Sequence, residues 1–221
     1  MKKEKVKIVI KLIFLYLILL GMTALPLLFN IMTQNNIGRL LARMLNYLLM
    51  ACITLIFYEN KNKILADFGY SSKNIGKQIL MGAILLTITM SIFVFLPLLL
   101  GINKEFVLSV KQTNIINILG QIIFLMLFVG PVEEFIFRGY FQEQLEELIS
   151  NKIVVCIIAS LLFGLWHFPA TMNIINVICT FIIGLIYSIF KTKFKNCTMT
   201  TISLAHGLYD TVIFLLSCIL L

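Results

Sequence analysis

The chain has 221 residues, of which 60% are hydrophobic and only 13% charged. That composition excludes an ordinary soluble domain, because apolar runs of about 20 residues, long enough to cross a bilayer, recur along it. The net charge of +8 does not imply nucleic acid, since the lysines sit mostly between the apolar runs, where the positive-inside rule explains them. The five cysteines, Cys52, Cys156, Cys179, Cys197 and Cys218, are scattered without metal-site spacing and read as small apolar residues.

The fold class this implies is all-α: a polytopic transmembrane helical bundle of about seven spans, within a range of six to eight. Five lysines between Met1 and Lys11 place the N-terminus in the cytoplasm of a multi-pass cell-membrane protein. The first run is too long and too lysine-flanked for a cleaved signal. It covers about Val6 to Phe29, with Pro26 near its far end. A polar turn from Thr33 to Gly38 leads to a second span, about Leu40 to Tyr58. Arg39 and Arg43 flank that span on the outer side, against the charge rule, and read as topology and solvation. The loop from Glu59 to Lys77 carries Lys61, Lys63, Lys73 and Lys77 and returns to the cytoplasm, with Asp67-Phe68-Gly69-Tyr70 as a short surface element.

A third span, about Ile79 to Leu100, has Pro97 as its kink. A fourth helix begins near Thr113 and carries through Gly130-Pro131-Val132-Glu133-Glu134-Phe135-Ile136-Phe137-Arg138-Gly139. Pro131 either kinks it or opens a fresh helix. Phe141 to Leu148 is amphipathic and is expected outside hydrocarbon. A fifth helix runs from Ile153 to Phe168, a sixth from about Met172 to Phe190 and a seventh from about Thr198 to Leu221. The division is helices 1–3 in residues 1–112 and a catalytic helical core in 113–221, within one membrane domain.

Charged groups at membrane depth are expensive and are usually kept for function. Glu134 and Arg138 are four apart and can pair on a helix face, which turns Glu133 about 100° away and leaves it for chemistry. Solvation of all three at a helix end is the bland alternative. His167 and His206 are the chain's two histidines, and both lie in apolar runs. His206 and Asp210 are again four apart. Glu133 precedes the turn at Ser150 by 17 residues and His167 follows it by 17. In an antiparallel hairpin, equal distances from the turn mean equal height, roughly 25 Å above it. With the polar 141–148 segment projecting into the cytoplasm, the site is expected near that face.

The three motifs together resemble the CPBP family of intramembrane proteases, which includes the CAAX prenyl endopeptidases and bacteriocin-immunity (Abi) members. The family pattern is Glu-Glu-x-x-x-Arg, Phe-x-x-x-His and His-x-x-x-Asn or Asp. It stands here as Glu133-Glu134-x-x-x-Arg138, Phe163-x-x-x-His167 and His206-x-x-x-Asp210. The resemblance implies an endopeptidase in which Glu133 is general base and His167 helps it activate a water. His206 and Asp210 would bind the scissile carbonyl or position that water, and Glu134–Arg138 would be a structural ion pair. It implies a peptide or protein substrate, entering from the membrane or the cytoplasm, and no cofactor. Zinc at Glu133, His167 and His206 is the alternative within the same residues. A non-catalytic immunity or scaffold protein is a second reading. A proton-coupled transporter ranks last, because the first three spans offer little beyond Thr23, Asn46, Thr54, Thr87, Thr89 and Ser91.

Overall fold

A computed structural model describes residues 2–26, 35–58, 69–108 and 110–221. The far end of the first span, the turn from Thr33, and the loop positions Lys61, Lys63 and Asp67-Phe68 lie outside the described residues. We number the long helices α1 (Lys2–Met22), α2 (Asn36–Phe57), α3 (Ile75–Leu99), α4 (Ile115–Leu148), α5 (Lys152–Thr171), α6 (Ile174–Lys193) and α7 (Met199–Leu220). Six of them, α2 to α7, are long and apolar enough to cross a membrane. The lysine-rich α1 packs beside them through Leu12, Leu15, Leu19 and Met22.

In a bilayer the orphan amides at a helix start have no water to bond, so capping residues matter more than at an aqueous surface. Asn35, Asn114, Asn151 and Asn173 each accept from backbone amides of the first turn of α2, α4, α5 and α6. Thr198 and Thr201 form a reciprocal capping box at the start of α7. These six side chains fix where the apolar runs become helix.

Pro97 in α3 and Pro131 in α4 follow one pattern. A π-helical turn, Ser91–Phe95, precedes Pro97 in α3, and another, Leu125–Val129, precedes Pro131 in α4. A π turn bonds one residue further back and so absorbs the amide that proline lacks. Neither proline breaks its helix. A third π turn, Phe135–Phe141, follows the double glutamate, so Gly130–Glu134 is a single α turn set between two π turns.

Helix α4 continues to Leu148. Phe141, Gln142 and Leu145 are buried against α1, α5 and α6 rather than projecting as a polar arm. Lysine-rich segments gather at this end of the bundle. Lys5 Nζ lies 3.5 Å from Leu148 O, and Lys191 Nζ donates to Arg138 O at 2.6 Å and reaches Glu143 at 3.4 Å. Met199 N donates to Gly69 O at 3.1 Å, so the stretch before α3 sits at the same end.

Glycine sets the closest helix approach. A Cβ on Gly130 would lie 2.6 Å from Gly207 N and 2.7 Å from Ser203 O, so α4 and α7 touch backbone to backbone there. Small residues permit this kind of contact between membrane helices. The polar side chains of the first three helices are mostly spent locally. Thr23, Thr54, Thr87 and Thr89 donate to carbonyls of their own turns, and Asn46 donates to Met22 O. That is structural satisfaction, and it supplies no relay for a transporter.

Gly130→Ala is expected to force α4 and α7 apart and to lower the thermal midpoint in detergent by several degrees, in line with the ~1–3 kcal/mol typical of overpacking. Gly76→Ala, where an added Cβ meets nothing within 4 Å, is the control and should leave the midpoint in place.

Candidate active site

The single α turn between the π turns of α4 carries two carboxylates to different neighbours. Glu134 Oε1 is 3.1 Å from Arg138 Nη1 and 2.8 Å from His206 Nδ1. Both members of the ion pair are wholly buried. The i,i+4 pairing anticipated in the sequence is therefore formed, and a third member, His206, joins it. A carboxylate accepts, so His206 Nδ1 carries the proton in that bond. Arg138 also lies over the Phe163 ring, 4.3 Å from Cζ to centroid, and its Nε reaches Ser188 Oγ at 3.4 Å. Gly184 makes room for it, since a Cβ there would stand 2.5 Å from Arg138 Nη2.

Glu133 faces the other way, as its 100° offset requires. Its Oε1 accepts from Tyr47 Oη at 2.7 Å. Its Oε2 has no hydrogen-bond partner among the described residues and lies 3.8 Å from His167 Nε2 and 3.7 Å from His206 Nε2. His206 Nε2 is also 3.5 Å from Asp210 Oδ2. Four side chains from α4, α5 and α7 thus converge, and all four were expected from the sequence. Glu133 and His206 are buried, whereas the His167 and Asp210 side chains are 21% and 26% exposed. The latter two form the open edge of the site.

His167 has a defined tautomer when neutral. Its Nδ1 is 2.9 Å from Phe163 O. A carbonyl can only accept, so Nδ1 bears the hydrogen and Nε2 presents a lone pair toward Glu133. Two acceptors 3.8 Å apart frame a position where one water can donate to each. The ring is held edge-on by Phe163 and Trp166, whose Nε1 donates to Leu19 O of α1. Trp166 is thus a positioning element inside the bundle, not a lipid-facing residue.

Along α5, His167 stands 15 residues beyond Lys152, about 22 Å at the helical rise, and one turn short of the Thr171–Asn173 turn. Glu133 and His167 are at one height, as the hairpin count required. That height agrees with the roughly 25 Å expected from the hairpin count.

Two neighbours were not anticipated. Tyr47 lies in α2, and its sequence context is an ordinary apolar run; only the fold shows that it meets Glu133. Tyr70 Oη is 3.4 Å from both Pro131 O and Ser203 Oγ, beside the α4–α7 crossing. Arg43, read from the sequence as solvation, is half-buried. Its Nη2 donates to Gln121 Oε1 at 3.0 Å, and its Cζ lies 5.0 Å from the Phe124 ring centroid. No group of three or more His, Cys, Asp or Glu side chains among the described residues is arranged to hold a metal ion.

Fold and site together define a polytopic membrane protein with a buried glutamate–histidine centre. Residues 115–212 match the family model described as type II CAAX prenyl endopeptidase, Rce1-like. This part of the chain, from the start of α4 into α7, is thus similar to the CAAX-protease family, which is a protease family. It contains Glu133, Glu134, Arg138, His167, His206 and Asp210; Tyr47 and Arg43 lie outside it. No curated protein and no solved structure matches the chain.

Removing one member of a buried ion pair strands the other and typically costs about 3–5 kcal/mol. Arg138→Met is therefore expected to unfold the protein at markedly lower temperature. A double substitution, Arg138→Met with Glu134→Leu, should recover much of that loss in the same melting measurement.

Proposed function

We propose that the protein is an intramembrane endopeptidase that hydrolyses a peptide bond with a water activated by Glu133. The observation that carries this reading is the position of Glu133 Oε2, unbonded and within 3.8 Å of two imidazole nitrogens, while Tyr47 occupies Oε1. A water between Oε2 and His167 Nε2 is oriented by both acceptors. Glu133 takes one of its protons as the oxygen attacks the carbonyl carbon, and the same carboxyl then protonates the departing amine. The products are a new carboxylate and a new amine.

His206, in its doubly protonated form, donates from Nε2 to the carbonyl oxygen as charge develops there. Glu134 orients that ring through Nδ1, and Asp210 Oδ2, 3.5 Å from Nε2, favours the charged ring by its own charge while the Nε2 hydrogen passes to the carbonyl oxygen. Tyr47 is a positioning residue: by holding one oxygen of Glu133 it directs the other to the water. The reaction as written uses no metal. The lysine-rich end, with the first turn of α1, is placed in the cytoplasm by its charge. Processing of a peptide, bacteriocin self-immunity included, is the setting this reaction fits.

The test is cleavage of a mixture of apolar-tailed peptides by purified protein, read by mass spectrometry. Glu133→Gln and His167→Ala should each lose roughly a thousandfold or more in rate, while elution volume and thermal midpoint stay in place. Tyr47→Phe should lose about tenfold, the size expected for one hydrogen bond to a charged group. Wild-type rates in Glu133→Gln would remove the assignment. Pre-incubation with 1,10-phenanthroline should leave the rate unchanged, whereas inactivation reversed by added zinc would replace the metal-free route.

A further inference from the structure

Two side chains beside the site reach out of their own helices to one stretch of α1. Trp166 Nε1 donates to Leu19 O at 3.2 Å, and Asn46 Nδ2 donates to Met22 O at 3.1 Å. Both carbonyls lie at a break in α1. In an unbroken helix, Leu19 O would accept from Thr23 N and Met22 O from the amide of residue 26. Residue 26 is proline and has no N–H. Thr23 N turns instead to Leu20 O at 3.3 Å, and Ala24 N to Gly21 O at 3.2 Å. The break thus frees two carbonyls three residues apart, about 4.5 Å along one face of α1. A buried carbonyl needs a donor, and here the donors come from α5 and α2.

Each donor stands next in sequence to a group that meets Glu133. Trp166 precedes His167, whose Nε2 lies 3.8 Å from Glu133 Oε2. Asn46 precedes Tyr47, whose Oη donates to Glu133 Oε1 at 2.7 Å. On a helix, pinning one residue sets the height and the rotation of the next. The break in α1 therefore holds α2 and α5 at a fixed spacing on either side of Glu133. Tyr16 Oη adds a second tie to α5, donating to Leu162 O at 3.0 Å. Leu15 and Leu19 are wholly buried in the apolar cluster shared with Met50 and Trp166. Asn46 is a costly way to fill its place. Its Oδ1 is buried with no hydrogen-bond partner among the described residues, and a half-bonded buried amide is worse for stability than an apolar side chain. What the other end of that amide aligns accounts for the cost.

We propose that the broken end of α1 is a spacer for the reacting water: through Asn46 and Trp166 it sets the gap between Glu133, as held by Tyr47, and His167. Asn46 and Trp166 are positioning residues, and both act through their chain neighbours. The assignment to a water rests on the peptidase reading, whereas the spacing of Glu133 and His167 does not. A gap of 3.8 Å that takes one bridging water tolerates little error, because a shift of about 1 Å in a reacting group costs about a hundredfold in rate.

The test gives α1 back its missing amide. Pro26→Ala supplies an N–H that competes with Asn46 for Met22 O, and in full-length protein it should hold or raise the thermal midpoint in detergent. On a peptide that the wild type cleaves, kcat should fall about tenfold or more while KM stays within about twofold. Trp166→Phe, which keeps a ring and removes the N–H, and Asn46→Leu should each lower kcat in the same way. Adding Asn46→Leu to Pro26→Ala should slow cleavage no further, because that tie is already broken. A second readout needs no substrate. The chain has two histidines, so nitrogen NMR of the labelled rings reports on each. The His167 signals should move in Pro26→Ala, and those of His206 should hold. Wild-type kcat and unmoved His167 signals in Pro26→Ala and Asn46→Leu would overturn the proposal. So would a fall in kcat that tracks a falling thermal midpoint, or a fully additive loss in the double variant. Should Pro26→Ala fail to fold, Asn46→Leu and Trp166→Phe decide by the same kcat and KM split. Where the wild type cleaves no peptide, the peptidase reading falls, and the His167 signals alone decide the spacing.

Discussion

The site depends on one buried ion pair. Arg138 and Glu134 are both cut off from solvent, and neither is tolerable there alone. Their pairing ties the π turn of α4 to the preceding α turn, and the bond from Glu134 to His206 ties that turn to α7. Once those links are made, the neighbouring Glu133 has one direction left, toward the imidazoles. A charge that would be ruinous in an apolar bundle thereby becomes the element that orients a second, unneutralised one.

Backbone geometry prepares this. Gly130 and Gly207 let α4 and α7 meet without side chains between them, which brings Glu134 within reach of the short imidazole arm of His206. Gly184 opens the space that the guanidinium fills. The π turns on either side of Gly130–Glu134 shift the helix phase so that the prolyl residue costs no break and both carboxylates point inward.

Much of this was legible in the chain of letters because helical spacing is local. Glu134 with Arg138 and His206 with Asp210 are i,i+4 pairs, and counting from Ser150 was enough to set Glu133 level with His167. What stayed hidden has a common cause. Tyr47, Gly184 and Arg43 act across helices separated by many residues, and a tyrosine or glycine in an apolar run has too many ordinary uses to stand out. Arg43 was misread because a cation near a span end usually marks topology, and its burial depends on how α2 leans on α4. The amphipathic reading of the 141–148 segment holds, with Phe141, Gln142 and Leu145 on the face that the bundle covers and Glu146 and Glu147 exposed; which helices cover that face was not legible.

Tyr47 has a consequence for how such a protein diversifies. The segment that carries the recognisable motifs supplies Glu133, both imidazoles and the ion pair, yet the hydroxyl that holds Glu133 comes from a helix outside it. An excised C-terminal half would keep every signature and still lack the hand that aims its glutamate. A change at position 47 would thus alter how Glu133 is held while the hallmark residues stay untouched.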